Sequence, residues 1–354
     1  MPERNKEKPI VSVVIPTYHR AHLIRKAIQS ILNQTYQDLE IIVVDDCSGD
    51  NTEEVVKSLN DERIRYIRHE KNKGAPAARN TGIKAAKGEY IAFQDSDDEW
   101  LPQKLEKQMK VFENEPQKVG VVYTGFFRIE KSKKEYIPYS WVIQKEGDIH
   151  KELLKGSFIT TPSIVTRKIC FENAGMFDER LPRLQDWELV IRFSKYYDFK
   201  FIDEPLLTST FMSDSISADK DARIKALQLI LSKHLNEFAD DRKLLSKYYF
   251  GIGVHLCLNN VIAEGESYIA KAFELNPDRQ LLSENYFIIG RRICLNKNIK
   301  TGRNYLIRAI KTYPLNIKCL LVVFISFFGQ GVYNKLVQFG RKNKELWVNS
   351  NSVR

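Results

Sequence analysis

Short β-branched apolar runs alternate with amphipathic stretches through the first half of the chain, and this alternation most limits what the chain can fold into. "IVSVVIPTY" precedes "AHLIRKAIQSILNQ", in which Leu23, Ile24, Ala27, Ile28, Ile31 and Leu32 recur at helical spacing. "LEIIVVDD", "NTEEVVKSLN", "IRYIRH", "APAARNTGIKAAK" and "EYIAFQ" continue the pattern. Strand and helix taking turns predict right-handed β-α-β units, hence an α/β fold with a mostly parallel sheet sandwiched by helices. Ligands of such sheets bind beyond the carboxyl ends of the strands. The polar clusters that follow the apolar runs are therefore the candidate site: "PTYHR", "DDCSGD", "KNKGAPAARN" and "QDSDDEW". No GxGxxG and no GxxxxGK[ST] occurs among them, which excludes the dinucleotide fingerprint and the ATPase phosphate loop.

The second half reads as helices. Sliding the chain against itself by 37 residues aligns Tyr249, Phe250, Ile252, Gly253, Cys257, Leu258, Asn259, Ile262, Gly265, Tyr268, Ala272 and Pro277 with Tyr286, Phe287, Ile289, Gly290, Cys294, Leu295, Asn296, Ile299, Gly302, Tyr305, Ala309 and Pro314. Helix, polar turn with glycine, helix, then proline resembles a tetratricopeptide-type hairpin, whose usual period is about 34. The expected division is residues 1–218 and 219–354, with two repeats in the second part.

Charge separates the halves further. Residues 279–354 carry 14 Lys and Arg against two Glu, a surplus of 12 within a net charge of +10, so residues 1–278 sum to −2. Basicity concentrated in the tail, away from the acidic cluster, argues against general nucleic-acid binding. Five scattered cysteines without CxxC pairing predict reduced, mostly buried thiols rather than disulfides or a zinc site. No apolar stretch followed by a cleavage site occurs near residue 1, so a cytoplasmic location is expected.

Asp95, Ser96, Asp97, Asp98 and Glu99 crowd negative charge directly after the apolar run "YIAF". Such crowding is costly unless a cation or hydrogen-bond donors offset it. The Asp95 and Asp97 pair offers hard oxygen ligands that suit Mg²⁺ or Mn²⁺, ions that also hold substrate phosphates. The competing reading makes this a solvated acidic turn, with Asp98 and Glu99 capping a helix that starts at Pro102.

Four ordered motifs between Pro9 and Phe211 carry a resemblance: "VSVVIPTYHR", "SILNQTYQDLEIIVVDDCS", "KGAPAARNTGIKAAKGEYIAFQDSDD" and "GMFDERLPRLQDWELVIRF". Together they resemble the family 2 glycosyltransferases, which use a nucleotide-sugar-binding fold of the A type. The resemblance implies that Pro16, Tyr18 and Arg20 lie along the base and ribose of a nucleotide and that Asp46 accepts from the base. It also implies that Arg79 sits near base or diphosphate, that Asp95, Ser96 and Asp97 span the ribose and a metal held by Asp97, and that Asp186 is the general base. A UDP-sugar donor and Mn²⁺ or Mg²⁺ are implied with them. His19, Cys47 and Gln185 depart from the commoner asparagine, glycine and glutamate of the family.

The resulting expectation is an inverting, metal-dependent transfer of a sugar from a nucleoside diphosphate to a hydroxyl of a carbohydrate or lipid-linked acceptor, in polysaccharide or glycoconjugate biosynthesis. Metal and base on opposite sides of the anomeric carbon imply a single displacement. Retention would need a second nucleophilic carboxylate, and Glu188 is poorly placed, two residues along a helix from Asp186. Alternatives remain for single residues: Asp186 as a helix cap, Trp187 as core or acceptor wall, Tyr18 as a cover for the sheet. For the whole chain the alternative is a catalytically weak nucleotide-sugar-binding protein whose helical tail recruits partners. A nucleotidyltransferase would need a glycine-rich loop that "IPTYHRAHL" lacks. The segment 126–157 suits either an acceptor flap or a surface hairpin. "IKCLLVVFISFFGQGVYNKLV" is too short in its apolar core to cross a bilayer. It suits peripheral membrane contact or packing against the repeats.

Overall fold

A computed structural model describes residues 9–130, 133–210, 219–295, 298–314 and 317–327, with 329, 331 and 333. The chain divides into two units, Met1–Leu229 and Ile230–Arg354. The division falls inside the first helix of the C-terminal series, later than the expected 218/219 boundary.

In the first unit the strands are β1 (Val11–Thr17), β2 (Leu39–Asp45), β3 (Ile64–Arg68), β4 (Tyr90–Phe93), β5 (Glu99–Trp100), β6 (Val119–Glu130), β7 (Lys133–Ile137), β8 (Ile164–Arg167) and β9 (Asp198–Thr210). The helices between them are α1 (Ala21–Leu32), α2 (Thr52–Lys57), α3 (Ala75–Ala85), α4 (Lys104–Asn114), α5 (His150–Lys155), α6 (Ile169–Ala174) and α7 (Gln185–Phe193), followed by α8 (Lys220–Lys233). One nine-stranded sheet runs β3-β2-β1-β4-β8-β6-β9-β5, with β7 on β6. The β3-β2-β1-β4 part is parallel. The rest is mixed: β8 is antiparallel to β4 and β6, β9 is parallel to β6, and β5 and β7 are antiparallel edges.

The hydrophobic runs explain the parallel half. Every residue of β1 and β2 is buried, as expected of strands covered on both faces. α1 turns Ile24, Ala27, Ile28 and Ile31 inward, and each buried Ile contributes on the order of 2 kcal/mol. Gly82 lets α3 lie against β1, because a Cβ there would collide with the Val14 side chain. That close approach fixes the helix that carries Arg79. β6 and β7 pair antiparallel, from Phe126 opposite Ile137 to Glu130 opposite Lys133.

The second unit contains α9 (Leu235–Ala239), α10 (Arg242–Leu258), α11 (Ile262–Leu275), α12 (Arg279–Leu295), α13 (Ile299–Thr312) and α14 (Ile317–Ser326). The limits of α12 and α13 are those of α10 and α11 moved by 37 residues, the period found in the sequence. Contacts repeat as well. Ser246 Oγ donates to Ala272 O and Ser283 Oγ to Ala309 O, both at 2.8 Å. Cys319, Val322 and Ile325 of α14 are buried in one cluster with Leu306 and Ala309, while Leu320, Leu321, Phe324 and Phe327 are exposed. Among the described residues no helix is long and apolar enough to cross a membrane. The five cysteines are free thiols, four of them buried.

Candidate active site

All four parallel strands end on the same edge, and hydrogen bonds stitch the loops beyond them together. The β1 and β2 loops meet where His19 N donates to Ser48 Oγ (2.8 Å) and Ala21 N to Asp50 Oδ2 (3.1 Å). Ser48 N in turn donates to the fully buried Asp45 (2.7 Å). His19 (φ 53°) and Cys47 (φ 71°) both adopt the left-handed region. This accounts for the asparagine and glycine commoner at these two places, since both enter that region at lower cost than histidine and cysteine.

Asp46 joins β2 to the start of α3. Its Oδ1 accepts from His69 Nδ1 (2.7 Å) and Lys73 N (2.8 Å), and its Oδ2 from Gly74 N (2.6 Å). His69 Nε2 faces Thr81 Oγ1 at 2.9 Å, so the imidazole bridges a carboxylate and a hydroxyl. The sequence motif marked Asp46; His69 carried no such signal.

Arg79 is the hub of the site. It is buried on α3, and donates through Nη2 to Asp95 Oδ1 (2.7 Å) and through Nη1 to Gln185 Oε1 (3.2 Å), with its guanidinium 5.5 Å from the Phe177 ring centroid. Its buried Nε makes no hydrogen bond within the protein. Gln185 accepts without bringing a second negative charge, so the Arg79 cation is shared with Asp95 alone among its direct partners. Next to it, Asn80 holds the segment ahead of α7 by exchanging bonds with Phe177 N and O (both 3.0 Å) and donating to Glu179 (2.8 Å).

Asp186 follows Gln185 in the first turn of α7, where the positive end of the helix favours a carboxylate. Trp187 N donates to its Oδ1 at 2.8 Å. Desolvation by surrounding protein is the first influence on Asp186 and raises its carboxyl pKa above the usual range; the Asp95 charge adds to this, while Trp187 N–H and Arg79 oppose it. Glu188, by contrast, is fully buried and held by Arg192 Nε (2.9 Å) and Nη2 (2.9 Å), whose guanidinium also grips the Met176 carbonyl (2.7 Å). It is committed to structure. Trp187 is core, its Nε1 donating to Leu153 O at 2.6 Å.

The acidic turn departs from the capping alternative. Asp98 is buried and bonds to Ser209 and the Thr210 N–H of β9, and Glu99 lies in β5 with an ion pair to Lys26 (2.8 Å). Neither caps α4, which begins later than Pro102, at Lys104; Glu99, Trp100 and the Leu101 N–H pair with β9 instead. Burial first, then the Asp95 and Asp97 charges, push the Asp98 carboxyl well above the usual range. Asp97 and the buried Ser96 line a cleft of about 210 Å³ with Lys26, Ile129 and Thr210. Pro16 is buried in β1, Tyr18 is 45% exposed at its end, against the His19 ring (4.2 Å between centroids), and Arg20 precedes α1.

The donor set suits a metal of one kind only. Among the described residues no three His, Cys, Asp or Glu side chains are grouped to hold a metal by themselves. Mg²⁺ and Mn²⁺ bound with substrate phosphates need just one or two carboxylates, which Asp97 and Asp95 supply, and the field that lifts Asp98 favours a cation there.

The fold, a mixed sheet with its polar loops gathered at one edge, is that of A-type nucleotide-sugar transferases. The model of "Glycosyl transferase family 2" matches residues 12–174. An uncharacterised glycosyltransferase of Methanocaldococcus jannaschii is 35% identical over 209 residues, 57% of this chain and 70% of that protein. One of Rickettsia felis is 34% identical over 242 residues, 67% of this chain but 40% of that protein, so the chain spans well under two thirds of its length. Among solved structures, Staphylococcus aureus TarS 1–349 in complex with UDP-GlcNAc superposes with TM-score 0.59 at 17% identity, covering 94% of this chain and 92% of that one. The mannosyltransferase PcManGT of Pyrobaculum calidifontis, in complex with GDP-Man and Mn²⁺, superposes with TM-score 0.54 at 17% identity, covering 96% and 88%. The chain belongs to glycosyltransferase family 2.

Proposed function

We propose that the chain is an inverting, metal-dependent hexosyltransferase that moves a sugar from a nucleoside-diphosphate sugar, UDP-linked by preference, to a hydroxyl of a carbohydrate or lipid-linked acceptor in polysaccharide or glycoconjugate biosynthesis. One observation carries this: Arg79 donates to Asp95 on the acidic turn and to Gln185, so one guanidinium ties a donor-side carboxylate to the residue next to the candidate base Asp186. Pro16, Tyr18, Arg20 and Asp46 would border the nucleotide, with Ser96 and Asp95 at its ribose. Asp97, with Asp95, would hold Mn²⁺ or Mg²⁺, which neutralises charge on the leaving diphosphate when bound. Asp186 would take the proton of the attacking hydroxyl, helped by its raised pKa. A nucleotide-sugar panel read by thermal shift with and without Mn²⁺, followed by donor hydrolysis, tests the proposal: a Mn²⁺-dependent shift with one donor supports it, and binding without turnover would favour the binding-protein alternative.

We assign this chemistry to the first unit, from the expected span 1–218, and read the paired 37-residue hairpins as a tetratricopeptide-like tail. The outward Leu320, Leu321 and Phe324 of α14 and Phe327 just after it, together with the basic surplus of residues 279–354, support peripheral contact with an anionic membrane at its cytoplasmic face. Liposome co-sedimentation tests this, with Leu321→Glu/Phe324→Glu expected to release the protein; unchanged binding refutes it.

A further inference from the structure

Two arginines from other elements gather around Arg183, which stands three residues ahead of Asp186. Arg183 stands in the turn ahead of α7, and its Nη1 donates to the Asp219 carbonyl at 3.0 Å. The same carbonyl accepts from Arg223 N (3.3 Å), which places Arg223 in the first turn of α8 next to Arg183. Arg128, near the end of β6, pairs with Ser209 of β9, the residue that bonds Asp98. Burial, then the Arg223 charge, hold Arg183 below the usual guanidinium range, with Arg128 acting the same way and Asp186 and Asp219 opposing. These four groups are therefore within electrostatic reach of Arg183.

The negative charge present does not match this gathering. The Asp219 carboxylate already accepts from Ala222 N (2.9 Å). Arg128 donates to the Tyr139 hydroxyl (3.3 Å), and neither it nor Arg223 makes an ion pair with a carboxylate among the described residues. Both are exposed. Guanidiniums brought together at such a cost read as an anion site, and their forked donors match phosphate oxygens. None of the three comes from the loops after β1, β2 and β3, where a nucleotide would lie.

We propose that Arg128, Arg183 and Arg223 bind a phosphate carried by the acceptor, close to the hydroxyl that Asp186 deprotonates. This rests on the glycosyltransfer reading for the role of Asp186. The shared chemistry is a phosphate ester, from either a diphosphate-linked carrier or a phosphodiester polymer. Arg183 positions the trio through its hold on Asp219, and Arg128 and Arg223 supply the outward donors.

Isothermal titration of the full chain in metal-free buffer tests the site, with inorganic pyrophosphate and dimethyl phosphate as probes of the two sources. Wild type should bind one of them, and Arg128→Gln/Arg223→Gln should bind it at least roughly tenfold more weakly, as expected for losing two charged donors. Preference for pyrophosphate indicates a diphosphate carrier, and preference for dimethyl phosphate a polymer. Equal affinity of wild type and variant for both anions overturns the proposal. So does a loss of UDP affinity in Mn²⁺ as large as the loss of phosphate affinity, because the anion would then belong to the donor. Absence of UDP binding by wild type would count against the glycosyltransfer reading alone, since the phosphate difference is read without donor. Should the double variant lower the melting temperature, Arg128→Gln and Arg223→Gln separately, each at an exposed position, give the same comparison.

Discussion

Replacing Asp46 by asparagine keeps the shape of the side chain and removes one of its two acceptor oxygens. The carboxylate holds His69 Nδ1, Lys73 N and Gly74 N at 2.7, 2.8 and 2.6 Å. Asparagine must point its NH₂ at Gly74 N–H or at the Lys73 and His69 donors. In the milder orientation one backbone N–H loses its acceptor and two bonds lose their charge assistance. An unsatisfied, partly buried N–H costs about 1–3 kcal/mol and each of the two weakened bonds about 1 kcal/mol, so Asp46→Asn should lose roughly 3–5 kcal/mol. Urea denaturation followed by tryptophan fluorescence reads this directly, because Trp100, Trp141 and Trp187 all lie in the first unit. The midpoint should fall at nearly constant m value. A loss under about 1 kcal/mol would refute the reasoning that Asp46 anchors the loop leading into α3.

Activity should rise with pH through an apparent pKa above the ordinary aspartate range, because burial makes Asp186 bind its proton more tightly and the base must be ionised; a rate flat down to pH 4 would contradict this. The same raised pKa means that ionised Asp186 disfavours the fold above its folded pKa and that the penalty disappears below its unfolded value, so Asp186→Asn should gain stability relative to wild type as pH rises. His19→Asn should stabilise by about 0.5–1 kcal/mol in the same denaturation assay, by easing a left-handed backbone. Gly290→Ala should destabilise the helical unit by about 1–3 kcal/mol, since the new Cβ would sit 2.7 Å from Gly302 O; Gly253→Ala, equally close to Gly265 O, should behave alike in thermal melts followed by circular dichroism.

The parallel half of the sheet and the repeat were legible because each rests on local periodicity. The largely apolar β1 and β2 could hardly be anything but buried strands, and Gly253 and Gly290 repeat because two helix backbones must touch. The mixed half was not legible. β5 is two residues long and exists only because β9 offers an antiparallel partner more than a hundred residues later, which also displaced the start of α4. Within the site, the strand-end clusters held Asp46 and Arg79, and the family resemblance pointed to Asp186. What each does locally depended on partners far along the chain: Gln185 for Arg79, His69 for Asp46, Phe177 for Asn80. Arg183 lies inside the motif around Asp186 but was not marked there, Arg223 lies in none, and their meeting at the Asp219 carbonyl is a tertiary fact.

The central claim is that Asp186 removes the acceptor proton at a donor site organised by Arg79. It is tested most directly by measuring sugar transfer and UDP affinity together for wild type and Asp186→Asn, at saturating Mn²⁺. The account predicts transfer reduced by roughly 10²–10⁴-fold while UDP binds within about twofold of wild type. Transfer by the variant at the wild-type rate would contradict it.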